Sequence, residues 1–593
     1  MSSTAIDHPA TSPTEHGILA RRVLLHSLLL GVLANALLRD PPWGVGLTVW
    51  MMVFAGTVVA LTWHRDPTLK PEQALWLMFA AFFATAYAWR DAGDLQAYDF
   101  VAMLGSLTFL VTTISSASPV PNVLGSRIRD LFYAALLAAG NVAGGVLPLA
   151  LRDAELGAGA SVRGRKPRAM LRAAVITLPL LVLFGALLAE ADPVFGSIFA
   201  LPKVDLGTVM SHIVITGVFT WIVGGWMRSA FVDEKARAAA PDGFPVALGQ
   251  IEITTVLGAL TVLFALFVGV QVTWLFGGEA LVRSTTGLGY AQYARRGFFE
   301  LVWVSLLVLP VVIGTRAAIP PEETAVIRRH RRLTLPLLLL LGAMMLSALG
   351  RMRLYVQYYG LTTDRLFASV FMLWLALVFV WFAMTVLRGR ARLFAGGMTI
   401  SGFATLAALN VVNPDAIVAR ANLGRTYISS DSARVVDLAY LASRSGDAIP
   451  IIVRALVAPP TSIVGSVARV EEVKARCDAT RSVLMNWGSY AGSRSAVRAR
   501  DWRSWNYGAW RAGNAVRSDE QALRNVTCWD NGVETRFGLR DLRTPRRGEQ
   551  WFAVPAPAAA VSGSSSRDMV GDSVGTRTVI IPVPPLPASK QPH

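Results

Sequence analysis

The chain has 593 residues, of which 53% are hydrophobic and 16% charged, where a soluble protein carries about 25% charged residues. That imbalance argues against an ordinary globular enzyme and reads as membrane. The formal charge of +17 does not require a nucleic-acid partner, because cytoplasmic loops and anionic lipid headgroups select the same basic balance; we expect no nucleic acid.

A bilayer core about 30 Å thick needs roughly 20 apolar residues per helix. Blocks of about that length run over 23–38, 43–62, 73–89, 98–114, 132–150, 171–189, 208–227, 251–275, 298–315, 333–350, 366–387 and 393–412. They are apolar on all faces instead of alternating, which predicts helices and excludes a barrel. The expected fold class is an all-α polytopic membrane protein with about eleven or twelve transmembrane helices, a mostly helical extracytoplasmic C-terminal domain and a disordered tail. The boundaries expected are an N-terminal tail at 1–20, a transmembrane domain at 21–413, a soluble domain at 414–554 and a flexible tail at 555–593.

At the start, Ala20-Arg21-Arg22-Val23 resembles a twin-arginine export signal, but no small-residue cleavage site follows Leu38, so the first helix reads as an uncleaved anchor. Further along, Arg228, Lys235 and Arg237, then Arg316, Arg328, Arg329, Arg331 and Arg332, then Arg388, Arg390 and Arg392 fall in alternate loops, which predicts those loops to be cytoplasmic. The run Arg163, Arg165, Lys166, Arg168 and Arg172 shares that phase. Five full spans ahead of it would put it on the wrong side if Arg21 and Arg22 are cytoplasmic. The weakest block is 132–150, with Gly140, Asn141, Gly144, Gly145 and Pro148; a re-entrant half-span there would restore the parity, while Gly140 and Gly144 could equally serve ordinary close helix packing.

The chain beyond 413 is then expected outside. Val435, Leu438, Leu441 and Ala442 recur at helical spacing, and Trp487, Trp502, Trp505, Trp510, Trp529 and Trp551 supply bulk for a small core. Trp502-Arg503-Ser504-Trp505-Asn506-Tyr507 reads either as core packing with a solvated arginine face, or as a surface for a polyanionic glycan or the lipid interface. The two cysteines, Cys477 and Cys528, are consistent with one extracytoplasmic disulfide; two free thiols are the alternative. From Pro555 onward Ala, Pro, Ser and Gly dominate, a composition that buries too little apolar surface to order itself.

No phosphate-binding loop, zinc-protease motif or nucleophile elbow is present, so no cofactor or metal is expected, and scattered histidines such as His212 read as packing residues. Polar residues crowd the outer ends of the later spans instead: Glu190, Asp192, Tyr290, Tyr293, Arg295, Arg296, Glu300, Arg351, Arg353, Tyr355, Asp364, Arg365, Asn413 and Asp415. Arginine is normally depleted there and needs carboxylate partners. The belt either binds an anionic group, with Asp192 or Glu300 handling a proton, or locks the outer loops and docks the C-terminal domain.

At these same residues the chain resembles a bacterial family of multi-pass membrane proteins, the domain of unknown function 4173, related to the 4153 group. The likeness rests on Ala191-Asp192-Pro193-Val194-Phe195, on Tyr290 to Leu301, on Arg353-Leu354-Tyr355 with Tyr359-Gly360-Leu361-Thr362, on Asn413-Pro414-Asp415-Ala416, and on Asp447-Ala448-Ile449-Pro450. The resemblance implies a bacterial plasma membrane location and supplies no substrate. Three functions remain open: an envelope scaffold or signalling partner; a secondary transporter or handler of lipids and anionic substrates; and a lipid-linked transferase. The partners expected are the bilayer, with anionic lipid headgroups or envelope proteins.

Overall fold

The structure, a computed structural model, describes residues 13–40, 42–65, 68–120, 122–154, 206–233, 248–286, 298–320, 322–424, 437–458, 466–489, 492–530 and 533–536, with single positions at 177, 181 and 184. The first part comprises α1 Pro13–Leu38, α2 Val45–Arg65, α3 Pro71–Trp89, α4 Gly93–Ile114, α5 Ile128–Gly144 and α6 Leu206–Phe231. The second comprises α7 Gln250–Thr286, α8 Phe298–Ala317, α9 Thr324–Tyr359, α10 Thr363–Thr385 and α11 Arg392–Val412. Nine of the described helices, α1, α2, α4 and α6 to α11, contain stretches long and apolar enough to cross a membrane. The chain is a multi-pass integral membrane protein. Helix α3, with Pro71 at its first position and Glu72 and Gln73 in its first turn, is more polar at that end, yet packs along α2 and α4.

Two apolar cores lie within the helices. One gathers α1 to α6 around Trp50, Phe54, Trp76, Phe83 and Trp226; the other gathers α7 to α10 around Leu257, Val312, Leu341 and Phe382. Helix α11 joins them, with Phe394 in the second core and Phe403 against Trp76 and Phe79 of the first. Pro310 and Pro336 sit inside α8 and α9, as neighbouring helices allow in a membrane.

The 132–150 block does not cross from one side to the other. The chain enters it at a loop where the Leu124 amide donates to Glu72 at the start of α3, 2.9 Å away. Helix α5 stops at Gly144, three residues of helix and a single π-type turn follow, and Asp153 pairs with Arg228 at the end of α6 at 2.6 Å. Next to it the Ala154 carbonyl accepts from Arg21, 2.9 Å away. The apex lies against the middle of the bundle, where Trp221 donates to the Ala143 carbonyl at 2.8 Å. There a Cβ on Gly145 would come within 3.0 Å of the Gly225 Cα, so glycine is needed for the backbones to meet. Both ends of this hairpin lie at the face where α1 begins.

Helix ends depart from expectation in one consistent way. Helix α9 runs to Tyr359, past the predicted end at 350, and α7 runs to Thr286, past 275. The expected 351–365 loop is therefore three residues, 360–362. Nothing in Arg351-Met352-Arg353-Leu354-Tyr355 opposes helix, since Arg, Met and Leu are good helix formers and their charged tips can leave the apolar layer while the backbone stays helical. The stop comes at Gly360, with φ 84° and ψ 166°, a backbone conformation that glycine adopts without a Cβ penalty.

Beyond Asn413 the domain comprises α12 Pro414–Leu423, α13 Leu438–Ala442, α14 Ile449–Val457, α15 Ser466–Trp487, α16 Arg494–Arg500, α17 Tyr507–Ser518 and α18 Glu520–Arg524. An antiparallel hairpin of β1 Thr527–Asp530 and β2 Val533–Arg536 follows, Thr527 facing Arg536. Its core is Ile449, Ile452, Val453, Val483, Trp487, Ala512 and Val516, and Leu361 and Leu366 from the α9–α10 turn pack onto it. The domain is mostly helical, as expected, and sits on the helix ends at Leu38, Trp89, Tyr359 and Val412.

Candidate functional site

Among the described residues, a dense polar region lies where that domain meets the membrane helices. Arg90, 7% exposed, ends α3. Its guanidinium donates to the Asn410 carbonyl at 2.6 Å and the Val411 carbonyl at 3.2 Å, and pairs with Asp447 at 3.3 Å. Carbonyls at a helix C-terminus lack intrahelical donors and carry partial negative charge, so Arg90 caps α11 while holding the domain. Asp447 also accepts the Asp91 amide at 2.7 Å. Burial pushes the Asp447 carboxyl up to about 6, against the opposing pull of Arg90.

Asp91 returns the contact. It accepts from the Gly446 amide at 2.9 Å and pairs with Arg498 of α16 at 2.9 Å. Burial raises its carboxyl and lowers the Arg498 guanidinium, each opposed by the charge of the other. Asn506, 1% exposed, finishes two helices at once. Its Nδ2 donates to the Tyr87 and Arg90 carbonyls at 2.6 and 2.7 Å, and its Oδ1 accepts the Ala509 amide at the start of α17 at 3.0 Å.

A second set forms at the α9–α10 turn. Asn422 brackets Leu361, accepting its amide at 2.9 Å and donating to its carbonyl at 2.7 Å. The Thr363 hydroxyl donates to Asp415 at 3.2 Å and its amide to the Tyr440 hydroxyl at 3.1 Å; Ser445 donates to the other Asp415 oxygen. A third set holds the α1–α2 turn: Arg503 forks onto Asp501, donates to the Ala36 carbonyl at 2.6 Å and lies 3.5 Å from Asp40. The Val45 amide donates to the Trp505 carbonyl at 3.0 Å.

The expected belt divides. Glu190, Asp192, Tyr290, Tyr293, Arg295 and Arg296 lie outside the described residues. Asp415 and Asn413 belong to the docking contacts, Asn413 with φ 64° accepting the Ala416 amide to start α12. Arg365 stacks over Tyr355 at 4.1 Å and donates to the carbonyls of Tyr359 and Gly360, capping α9. Arg351 donates to Gln271 of α7 at 2.6 Å. Glu300, Arg353 and Asp364 are exposed. The described members thus occupy several places instead of one cleft. His212 bonds to Asn35 of α1 at 2.8 Å.

Arg90, Asp91 and Arg498, on which the docking turns, escaped the sequence reading, and Asn506 entered it only within the Trp502–Tyr507 stretch. Their one signal was an Arg-Asp pair in a loop only three residues long between two spans, too short to stay clear of whatever covers it. Cys477, 4% exposed on α15, is disulfide-bonded.

A scan against protein families matches residues 77–455 to "Domain of unknown function (DUF4153)". The match runs from α3 into α14 and takes in Arg90, Asp91, Asn410, Asp415 and Asp447. No curated protein matches the chain, and no solved structure does. With more than half of its length covered, the chain belongs to the family Domain of unknown function (DUF4153).

Proposed function

We propose that the chain is a scaffold of the bacterial plasma (inner) membrane, acting through a C-terminal domain held at fixed height on the extracytoplasmic side. The observation that carries this reading is the docking itself: three membrane turns, at 39–44, 90–92 and 360–362, are bound to one domain by buried ion pairs and helix caps. Breaking one partner of a buried pair costs about 3–5 kcal/mol, so such a domain is suited to presenting a surface and poorly suited to opening and closing. The orientation is supported by Arg328, Arg329, Arg331, Arg332, Arg388 and Arg390, all exposed at the opposite face, and by the disulfide at Cys477, for which Cys528 is the partner we assign. Trp502, Tyr507 and Trp510 are exposed on the domain, and aromatic side chains of this kind suit the headgroup layer. Within the family, the motifs at 290–301 and 353–362 favour the 4173 group.

Single cysteines test the orientation. Val497→Cys on the domain, 45% exposed, reacts with a membrane-impermeant maleimide in intact cells, and Glu322→Cys reacts only after lysis. The reverse pattern inverts the topology. In proteoliposomes the scaffold moves no solute and transfers no lipid-linked group; a flux that disappears in Glu300→Ala or Arg351→Ala would replace this reading with the transporter.

A further inference from the structure

Asp99 lies in the second turn of α4, inside an apolar span, and is fully buried. Its Oδ1 accepts from Asn410 Nδ2 of α11 at 2.7 Å. The other oxygen of each partner, Asp99 Oδ2 and Asn410 Oδ1, is buried without a hydrogen-bond partner. An ionised carboxylate and an amide oxygen are both pure acceptors, so neither can satisfy the other. Reversing the amide does not help: Asn410 Nδ2 also donates to the Leu406 carbonyl at 3.1 Å, which fixes its orientation.

No cation balances a negative Asp99 among the described residues. Arg90, on the loop before α4, points its donors at Asn410 O, Val411 O and Asp447. Tyr87 of α3 donates its hydroxyl to the Gln96 carbonyl. Asp94, on the same helix, is 3.7 Å from Arg444, and Asp364, on α10, which meets α4 through Phe367 and Tyr98, is exposed. Helices α5 and α6 bring Arg129, Asp130, Tyr133 and Arg228 to the other end of the bundle. A buried, unpaired anion inside a span is expensive, and an ionisable group there points to function.

We propose that Asp99 is a proton-binding site within the membrane domain: the neutral acid donates its Oδ2–H to Asn410 Oδ1 and closes a two-bond acid–amide pair between α4 and α11. One proton is taken up per chain from solvent, and no other bond forms or breaks. Because Arg90 caps the backbone carbonyl of the same Asn410, loss of that proton loosens the α11 end that the docked domain grips. The proton is thus a ligand whose binding is read by the domain, whether or not the domain acts as a scaffold.

Infrared difference spectroscopy of the full chain in lipid nanodiscs, titrated by pH, tests this. Beside the bands of Asp91 and Asp447, which both proteins share, the wild type shows a further buried carboxylic-acid C=O band that is lost in Asp99→Asn. That variant still folds, because its amide donates to Asn410 Oδ1 and accepts from Asn410 Nδ2. Asp447 titrates in both proteins, so the thermal stability of the variant depends less on pH than that of the wild type, which also loses stability as the Asp99 proton leaves. The same set of bands in Asp99→Asn as in the wild type, identical pH profiles, or failure of Asp99→Asn to fold would each overturn the proposal.

Discussion

The two faces of the protein use arginine in opposite ways. At the face opposite the domain, Arg328, Arg329, Arg331 and Arg332 stand exposed along the first turns of α9, where their number biases topology and their individual contacts matter little. At the domain face Arg90 is buried and Arg498 half-buried, each paired with a buried carboxylate whose own desolvation is the larger effect. The same residue type is thus a statistical signal on one side and a structural fixture on the other, and the difference is whether water can reach it.

The largest expected effect comes from removing a fixture. Arg90→Ala strands Asp447 in the interior and uncaps the Asn410 and Val411 carbonyls, and should cost about 3–5 kcal/mol, seen as a lower melting temperature in detergent. Adding Asp447→Leu should recover part of that loss; no recovery would mean the cap on α11, and not the pair, holds the domain. Next comes the hairpin apex. Gly225→Ala places a Cβ 2.8 Å from the Val142 Cα, and overpacking of this kind costs about 1–3 kcal/mol, while the side reached by the Glu322→Cys label stays unchanged. Asn506→Ala removes one cap and the donor to the Tyr87 carbonyl, while the Arg90 carbonyl keeps Gln96 Nε2 at 2.6 Å, at about 1–2 kcal/mol, measured by the same unfolding curve.

A smaller effect is the pH dependence of docking. Burial holds the Asp447 carboxyl at about 6, above the ~3.9 of an unfolded aspartate. The folded state therefore binds the proton more tightly, and its contribution is complete below about pH 4 and lost as pH rises to about 6. Asp447→Asn should flatten that window. Smallest of all, Arg331→Ala at the exposed face should change stability by less than about 0.5 kcal/mol; a larger loss would break the comparison between the faces.

The spans were legible because hydropathy is a local property. Every described apolar block corresponds to a helix, and the glycines of 132–150 marked a segment that folds back. The docking cluster was not legible. Arg90 and Asn410 are 320 residues apart, and Asp91 and Asp447 are 356 apart, so no window of sequence contains both. Arg351, Arg353 and Tyr355 were placed correctly near a helix end, yet assigned to a loop because charge was taken to mark the edge of the helix as well as the edge of the bilayer.

By itself the amino-acid order determined that this chain crosses a membrane many times and which loops carry the excess of arginine. These follow from transferring short apolar runs into hydrocarbon, where each helix satisfies its own backbone. Only the tertiary structure decided that 128–154 enters and leaves at one face, that Arg90, Asp91 and Asn506 clamp the domain, and that Asp99 meets Asn410. Those depend on which loop ends meet across several helices, and a hydrogen bond or buried charge takes its energy from the partner and the water excluded at that one place.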